Sequence, residues 1–240
     1  MLQEFTLYSQ SLKTIKLTKV LINTVNAHSY NITQTDAQFH DALLNSTVLL
    51  PDGISVVFAV KWLTGQKLIK IAGADLLLYE MERLQNLGGK CFFLGSKEST
   101  LNKIEERVFR EYPRVKVQSY SPPFKTEFSI EDNDAMLRVI NAFRPDVLFI
   151  GMTAPKQEKW ARKHFNQIDA DHVCCIGAVF DFYAGTISRA PQWMIKLGLE
   201  WLFRLIKEPR RMWRRYLIGN VKFIVYIIQE KIYLLGNKYY

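Results

Sequence analysis

Cysteine is scarce. Cys91, Cys174 and Cys175 are the three in 240 residues, too few and too poorly spaced for a disulfide framework. The adjacent pair falls inside the apolar run Val173-Cys174-Cys175-Ile176, where thiols act as small buried hydrophobes. The opening residues, MLQEFTLYSQSLK, lack a basic region followed by an apolar stretch, so no signal peptide is expected. No apolar run reaches the roughly 18 residues that mark a spanning helix. The GxGxxG and P-loop signatures are missing, which removes the dinucleotide and ATPase motifs. His28, His40, His164 and His172 are scattered, with no metal-ligand spacing. There is no internal repeat and no low-complexity linker. An apolar share of 48% with 23% charged residues excludes disorder, collagen and coiled coil. A cytoplasmic protein is expected, with attachment to a membrane surface left open.

The formal charge is +9, and its placement matters more than its size. Residues 189–240 hold 11 Lys and Arg against Glu200, Glu208 and Glu230, a local charge of +8. The first 188 residues are almost neutral, with 21 basic and 20 acidic groups. A basic tail on a neutral core points to a localised anionic partner: phosphate, nucleic acid or a lipid headgroup surface.

Within the first 188 residues, short β-rich runs alternate with helix-like segments. Strands are expected at Lys19–Asn23, Thr47–Leu50, Lys90–Leu94, Val115–Ser119, Asp146–Ile150 and Val173–Ile176. Helical periodicity marks Thr35–Leu44, Ile54–Leu63, Ala74–Asn86, Thr100–Glu111, Asp134–Phe143 and Pro155–Phe165. Strands without polar alternation, separated by helices, predict an α/β fold with a parallel sheet covered on both faces. In such sheets ligands bind beyond the carboxyl ends of the strands. Those ends carry Thr24 and Asn26, Pro51-Asp52-Gly53, Gly95-Ser96, Pro122-Pro123-Phe124, Gly151 through Gln157, and Gly177. The set is polar and glycine-rich, with a carboxylate and an amide. It suits a nucleotide site with one candidate base.

The tail reads differently. Arg189-Ala190-Pro191 predicts a helix start, with Met194, Leu197, Trp201 and Leu205 on one face. Pro209 interrupts, and a second helix can begin there. Lys207, Arg211 and Arg215 recur every four residues, with Arg210 and Arg214 beside them. The following YLIGNVKFIVYIIQEKIYLL is strongly apolar but broken by polar residues, which makes it amphipathic rather than spanning.

Each motif has a plain alternative. Pro51-Asp52-Gly53 alone is a turn or a helix cap, and only its place at a strand end makes Asp52 a candidate. Asp132-Asn133-Asp134 and Asp169-Ala170-Asp171 have the spacing with which sugar transferases hold a divalent ion. The first sits where residues cap a helix and the second at the wrong end of the sheet, so both read as structural and no tightly held metal is expected. Gly95-Ser96 is a turn that lets a phosphate approach the backbone. Arg204, Arg210, Arg211, Arg214 and Arg215 are interleaved with Trp201, Phe203, Trp213 and Tyr216, a density beyond what solubility requires. Arginine suits bidentate phosphate recognition and the aromatics suit a headgroup interface.

From about Val20 to Arg215 the chain resembles the WecG/TagA/CpsF group, glycosyltransferase family 26. The resemblance rests on Asn23-Thr24-Val25-Asn26, Pro51-Asp52-Gly53-Ile54, Ile71-Ala72-Gly73-Ala74-Asp75-Leu76 and Phe93-Leu94-Gly95. It continues through Ala154-Pro155-Lys156-Gln157-Glu158-Lys159-Trp160, Phe180 through Gly185, Arg189-Ala190-Pro191, Gly198-Leu199-Glu200-Trp201, Arg204-Leu205, Glu208-Pro209 and Arg211. It implies transfer of an N-acetylmannosamine-type sugar from a UDP donor to a polyprenyl-diphosphate-linked sugar, with inversion. It implies no metal and no cofactor, a Rossmann-like core over residues 1–188, and a membrane-binding helical appendage over 189–240. The protein would then sit on the inner face of the cell membrane, in cell-surface polysaccharide or teichoic acid synthesis. Carried onto this chain, the resemblance makes Asp52 the base, with Thr24 and Gln157 in the catalytic pocket. The substrate-binding candidates are Asn26, Gly53, Gly95, Ser96, Gly151, Pro155, Lys156, Glu158, Arg204, Arg211 and Arg214. The chain departs from the family pattern at Lys70, usually arginine, at the less glycine-rich Gly151-Met152-Thr153, and at Ala178, usually glycine. These departures bear on donor identity more than on reaction class.

Two rivals of other kinds remain at this stage: a basic nucleic-acid-binding module and a catalytically idle membrane scaffold. The tail is as apolar as it is basic and no nucleic-acid motif appears, so no nucleic-acid partner is expected. Self-association into a homo-oligomer is left open.

Overall fold

A computed structural model describes residues 1–236. Six strands, β1 (Val20–Val25), β2 (Val48–Pro51), β3 (Lys90–Gly95), β4 (Lys116–Tyr120), β5 (Val147–Gly151) and β6 (His172–Cys175), form one sheet in the order β2-β1-β6-β5-β3-β4. Every pairing is parallel. The helices are α1 (Ala27–Thr33), α2 (Ala37–Leu44), α3 (Ile54–Thr64), α4 (Gly73–Leu87), α5 (Glu98–Glu111), α6 (Ile130–Phe143), α7 (Lys156–His164), α8 (Val179–Tyr183), α9 (Gln192–Lys196), α10 (Glu200–Lys207), α11 (Pro209–Trp213) and α12 (Gly219–Gly236). The expected α/β class and doubly covered parallel sheet are present, and each of the six anticipated strands lies within two residues of its expected bounds.

Alternation along the strands divides the core. Cys91 and Phe93 of β3 and Phe149 of β5 turn to one face, under Leu77 and Met81 of α4, Ile104 of α5 and Phe180 of α8. Phe92, Leu94, Leu148 and Ile150 turn to the other, under Met136 and Ile140 of α6 and Trp160 of α7. Successive Cβ atoms of a strand point to opposite faces, so an uninterrupted apolar run serves both. All three cysteines are buried free thiols, the Cys174 and Cys175 pair as its apolar run suggested.

The segment after residue 188 differs from its expected form in one respect. The helix expected to open at Arg189-Ala190-Pro191 and carry Met194, Leu197, Trp201 and Leu205 on one face is broken at Gly198, whose φ is +72°. A Cβ there would lie 2.9 Å from Ile54 Cγ2, so the bend also brings the chain close to the start of α3. A π-helical turn, Arg214–Ile218, then links α11 to α12. Helix α12 lies against the core: Phe223 and Ile227 are buried with Tyr30, Val25 and Phe39. Glu230, also buried, accepts hydrogen bonds from the Leu2 and Gln3 N–H groups and from the Tyr30 hydroxyl. No helix among the described residues is long and apolar enough to cross a membrane.

Candidate active site

The carboxyl ends of the strands open into a cleft of about 2140 Å³. Helices α1, α3, α4 and α7 are among those that begin at its wall, each with its first residues in the lining. Helix N-termini carry unpaired N–H groups and partial positive charge, so this wall favours an anion.

Asp52 follows β2, and its backbone N–H donates to the Val25 carbonyl at 2.9 Å. Its side chain lines the cleft and is half-buried. Burial pushes it up to about 6, and the Glu200 carboxylate pushes the same way against Lys70 and Arg204. A carboxyl so placed is half ionised near pH 6 and accepts a proton readily at pH 7.

Gln157 opens α7 beneath that wall. Its Oε1 accepts from the Met152 N–H at 3.1 Å, and its Nε2 donates to Glu158 Oε1 at 2.8 Å. Glu158 is buried, its Oε2 has no partner, and burial pushes the carboxyl up to about 7. The pair fixes the amide's orientation from both ends. Lys156 donates to the Lys125 carbonyl and lies 3.6 Å from the Phe128 ring centroid, which ties α7 to the loop after β4.

Gly95 and Gly151 end the adjacent strands β3 and β5 and pair in register. A Cβ on Gly95 would sit 2.6 Å from the Gly151 carbonyl oxygen, and Gly95 has a φ of +119°. Only glycine fits this crossing, after which Ser96 adopts a φ of +60°. Asn26 caps α1, its Oδ1 accepting from the His28 and Ser29 N–H groups. That oxygen is therefore committed to the fold.

The appendage supplies the remaining wall. Arg204 stacks on Phe182 at 4.6 Å, and Arg211 is held by Glu208 at 2.7 Å. Arg215 is the deepest of the three: its Nε is buried without a partner, and burial lowers its affinity for a proton. Burial also drives His28 down to about 4, with the Arg215 cation adding to the effect. Lys70 and Arg189 flank Glu200, each 3.9 Å from one of its oxygens.

The cleft brings together Asp52, Thr24, Gln157, Asn26, Gly53, Gly95, Ser96, Gly151, Pro155, Lys156, Glu158, Arg204 and Arg211. Arg214 is the exception. It is exposed and stacks over Trp213 at 5.2 Å, while Arg215 takes the place facing the cleft. Positions 207, 211 and 215 share a helical face, so the four-residue spacing already favoured Arg215. Glu200 and Arg189 were legible only as parts of longer motifs, and His28 carried no local signal. The two Asp-x-Asp pairs lie elsewhere. Asp132 completes the capping box of α6 with Ser129 and binds Lys125, and Asp169 pairs with Arg144 beyond the amino ends of the strands.

The model of the WecG/TagA/CpsF glycosyltransferase family matches residues 5–236. The chain belongs to this family. Similar proteins include an N-acetylglucosaminyldiphosphoundecaprenol N-acetyl-β-D-mannosaminyltransferase of Bacillus subtilis strain 168, 28% identical over 211 residues, or 88% of this chain and 80% of the relative. Proteins of the same description from Bacillus spizizenii and Staphylococcus aureus strain MW2 are 28% and 26% identical. They cover 80% and 85% of this chain and 72% and 76% of their own lengths. This WecG/TagA/CpsF glycosyltransferase thus carries its family's likeness through both the sheet and the helices after residue 188.

Proposed function

We propose that this glycosyltransferase moves an N-acetylmannosamine-type or related sugar from a UDP-sugar to a polyprenyl-diphosphate-linked acceptor, with inversion and without a metal ion. The supporting observation is one cleft lined by both Asp52, a carboxyl whose affinity for a proton is raised, and Arg215, whose buried Nε has no partner. The acceptor hydroxyl oxygen forms the new bond to the anomeric carbon as the bond to UDP breaks. Its proton passes to Asp52, and the leaving diphosphate takes the electron pair. Arg204, Arg211 and Arg215 then meet the charge that develops on the diphosphate, assisted by the helix N-termini. A cation on the metal's usual side of the reaction is supplied by guanidinium groups, while Asp132 is engaged in capping and with Lys125, and Asp169 pairs with Arg144. Gln157, held by Met152 and Glu158, orients the donor, and Thr24 lines the pocket beside the base.

Residues 189–240 act as the unit that brings cations to the diphosphates and rests on an anionic membrane, on the inner face where a UDP-sugar is available. The product enters cell-surface polysaccharide or teichoic acid synthesis. A panel of UDP-sugars tested with short polyprenyl-diphosphate acceptors checks the reading. UDP release from one sugar that depends on the acceptor is expected. Release from none, or release indifferent to acceptor, would remove it.

A further inference from the structure

Helix α3 starts two residues after Asp52 and is apolar on both faces. Val56, Ala59, Val60 and Leu63 are buried in the core. Ile54, Phe58 and Trp62, four residues apart, lie on the outer face, with Phe58 62% and Trp62 51% exposed. Lys61 is the helix's one charged residue. A helix apolar all round is ordinarily buried in protein or lipid. Helix α12 runs beside it with the same division: Phe223 and Ile227 face the core, and Val221, Ile224 and Ile228 are exposed. Lys231 joins the two helices, donating to the Trp62 carbonyl at 2.9 Å with its ammonium 5.9 Å from the Trp62 ring centroid. Ile54 and Asn220, near the starts of α3 and α12, both line the cleft. The two helices therefore leave the cleft together and run in the same direction, about 12 Å from Ile54 to Trp62 at the helical rise.

We propose that α3 and α12 together form the face that rests on an anionic bilayer. The core then docks alongside the C-terminal segment, and the cleft opens at the lipid surface. The inference rests on the reading of a lipid-linked acceptor, whose reactive sugar must meet Asp52 while its chain remains in lipid. Charge decides the occupant. Exposed Lys61 and Lys222 lie among the apolar side chains, so a second copy would set like charges against each other, whereas anionic headgroups complement them. A tryptophan with a lysine lying along it suits the boundary between headgroups and acyl chains.

Flotation of the full chain with vesicles of phosphatidylglycerol and phosphatidylcholine tests this. The Phe58→Ser/Trp62→Ser variant should bind at least tenfold more weakly than wild type. Phe109→Ser, an exposed site on α5 across the sheet, should bind as wild type does. Lys61→Glu, a surface change that leaves the packing intact, should also weaken binding and covers the case in which the double variant fails to fold. Wild-type binding that neither α3 variant alters would overturn this inference and leave the membrane role of residues 189–240 standing. Wild type that does not bind would overturn both. A dimer that the double variant splits, with vesicle binding unchanged, would assign the face to a second copy and also overturn the proposal.

Discussion

At the amino ends of the strands, Glu80 is fully buried, yet each carboxylate oxygen has a donor: His172 Nδ1 at 2.8 Å and Arg83 Nε at 2.8 Å. His172 in turn reaches the Lys16 carbonyl through Nε2 at 3.0 Å. At the carboxyl ends, Asp52 is pushed up to about 6, Glu158 has an oxygen without a partner, and Arg215 has a buried nitrogen without one. The same sheet thus carries a carboxylate with both oxygens paired at its foot, where only Arg83 Nη2 of that cluster is left without a partner, and a carboxyl and a guanidinium with unpaired atoms at its mouth. Paired charge holds α4, β6 and the N-terminal segment together. Unpaired charge stores affinity for a ligand, because a buried polar group without a partner is costly until one arrives. The position of each group along the strands, rather than its residue type, separates the two roles.

Substitutions at the two ends should therefore fail in different ways. Asp52→Asn should lower transfer by about 10²- to 10⁴-fold, the usual worth of a general base, with UDP affinity retained. Turnover within a few-fold of wild type would break the comparison at its most exposed point. Arg215→Ala should lower transfer by roughly 10²-fold, the cost of losing one preorganised charge donor, while Arg214→Ala stays within a few-fold. The reverse order would return the role to the exposed arginine. Glu80→Ala should instead cost about 3–5 kcal/mol of stability in a denaturant titration, because it leaves the buried partners of a broken pair. Its transfer rate, measured where the protein remains folded, should be near that of wild type.

The charged mouth should also carry a stability penalty. Folding raises the Asp52 pKa from 3.8 to about 6, so the folded state favours the protonated form. That contribution is fully present below about pH 4 and is lost as pH rises through 6. Asp52→Asn should accordingly be more stable than wild type at pH 7, by at most about 3 kcal/mol from the shift. A difference in stability between Asp52→Asn and wild type that is the same at pH 4 and pH 7 would contradict this. The smallest expected effect is that of a chelator: excess should leave transfer unchanged, and activity restored by magnesium or manganese would give the site a metal after all.

Much of the frame is legible because a parallel sheet imposes long apolar runs and sends its ligands to one end. That rule collected Thr24, Asp52, Gly95 and Gln157 without any knowledge of their contacts. Helix α1 escaped because Ala27–Thr33 has little apolar periodicity, and its signal is the capping box of Asn26 and Ser29. The break at Gly198 escaped because Leu197 and Trp201 continue the helical spacing across it, and the reason for the bend is the distant Ile54. Arg214 and Arg215 are neighbours in sequence, so composition alone does not choose between them. The face that α12 turns to the core depends on Tyr30 and on the N-terminal residues, which lie 200 and 228 positions from Glu230.

The pH dependence of kcat/KM tests the central claim, that the unpaired charge at the cleft mouth performs the transfer, most directly. With a UDP-sugar and a short polyprenyl-diphosphate acceptor, the rate should fall with unit slope below about pH 6 as Asp52 takes up its proton. A profile that stays flat down to pH 5, with the protein still folded, would contradict it.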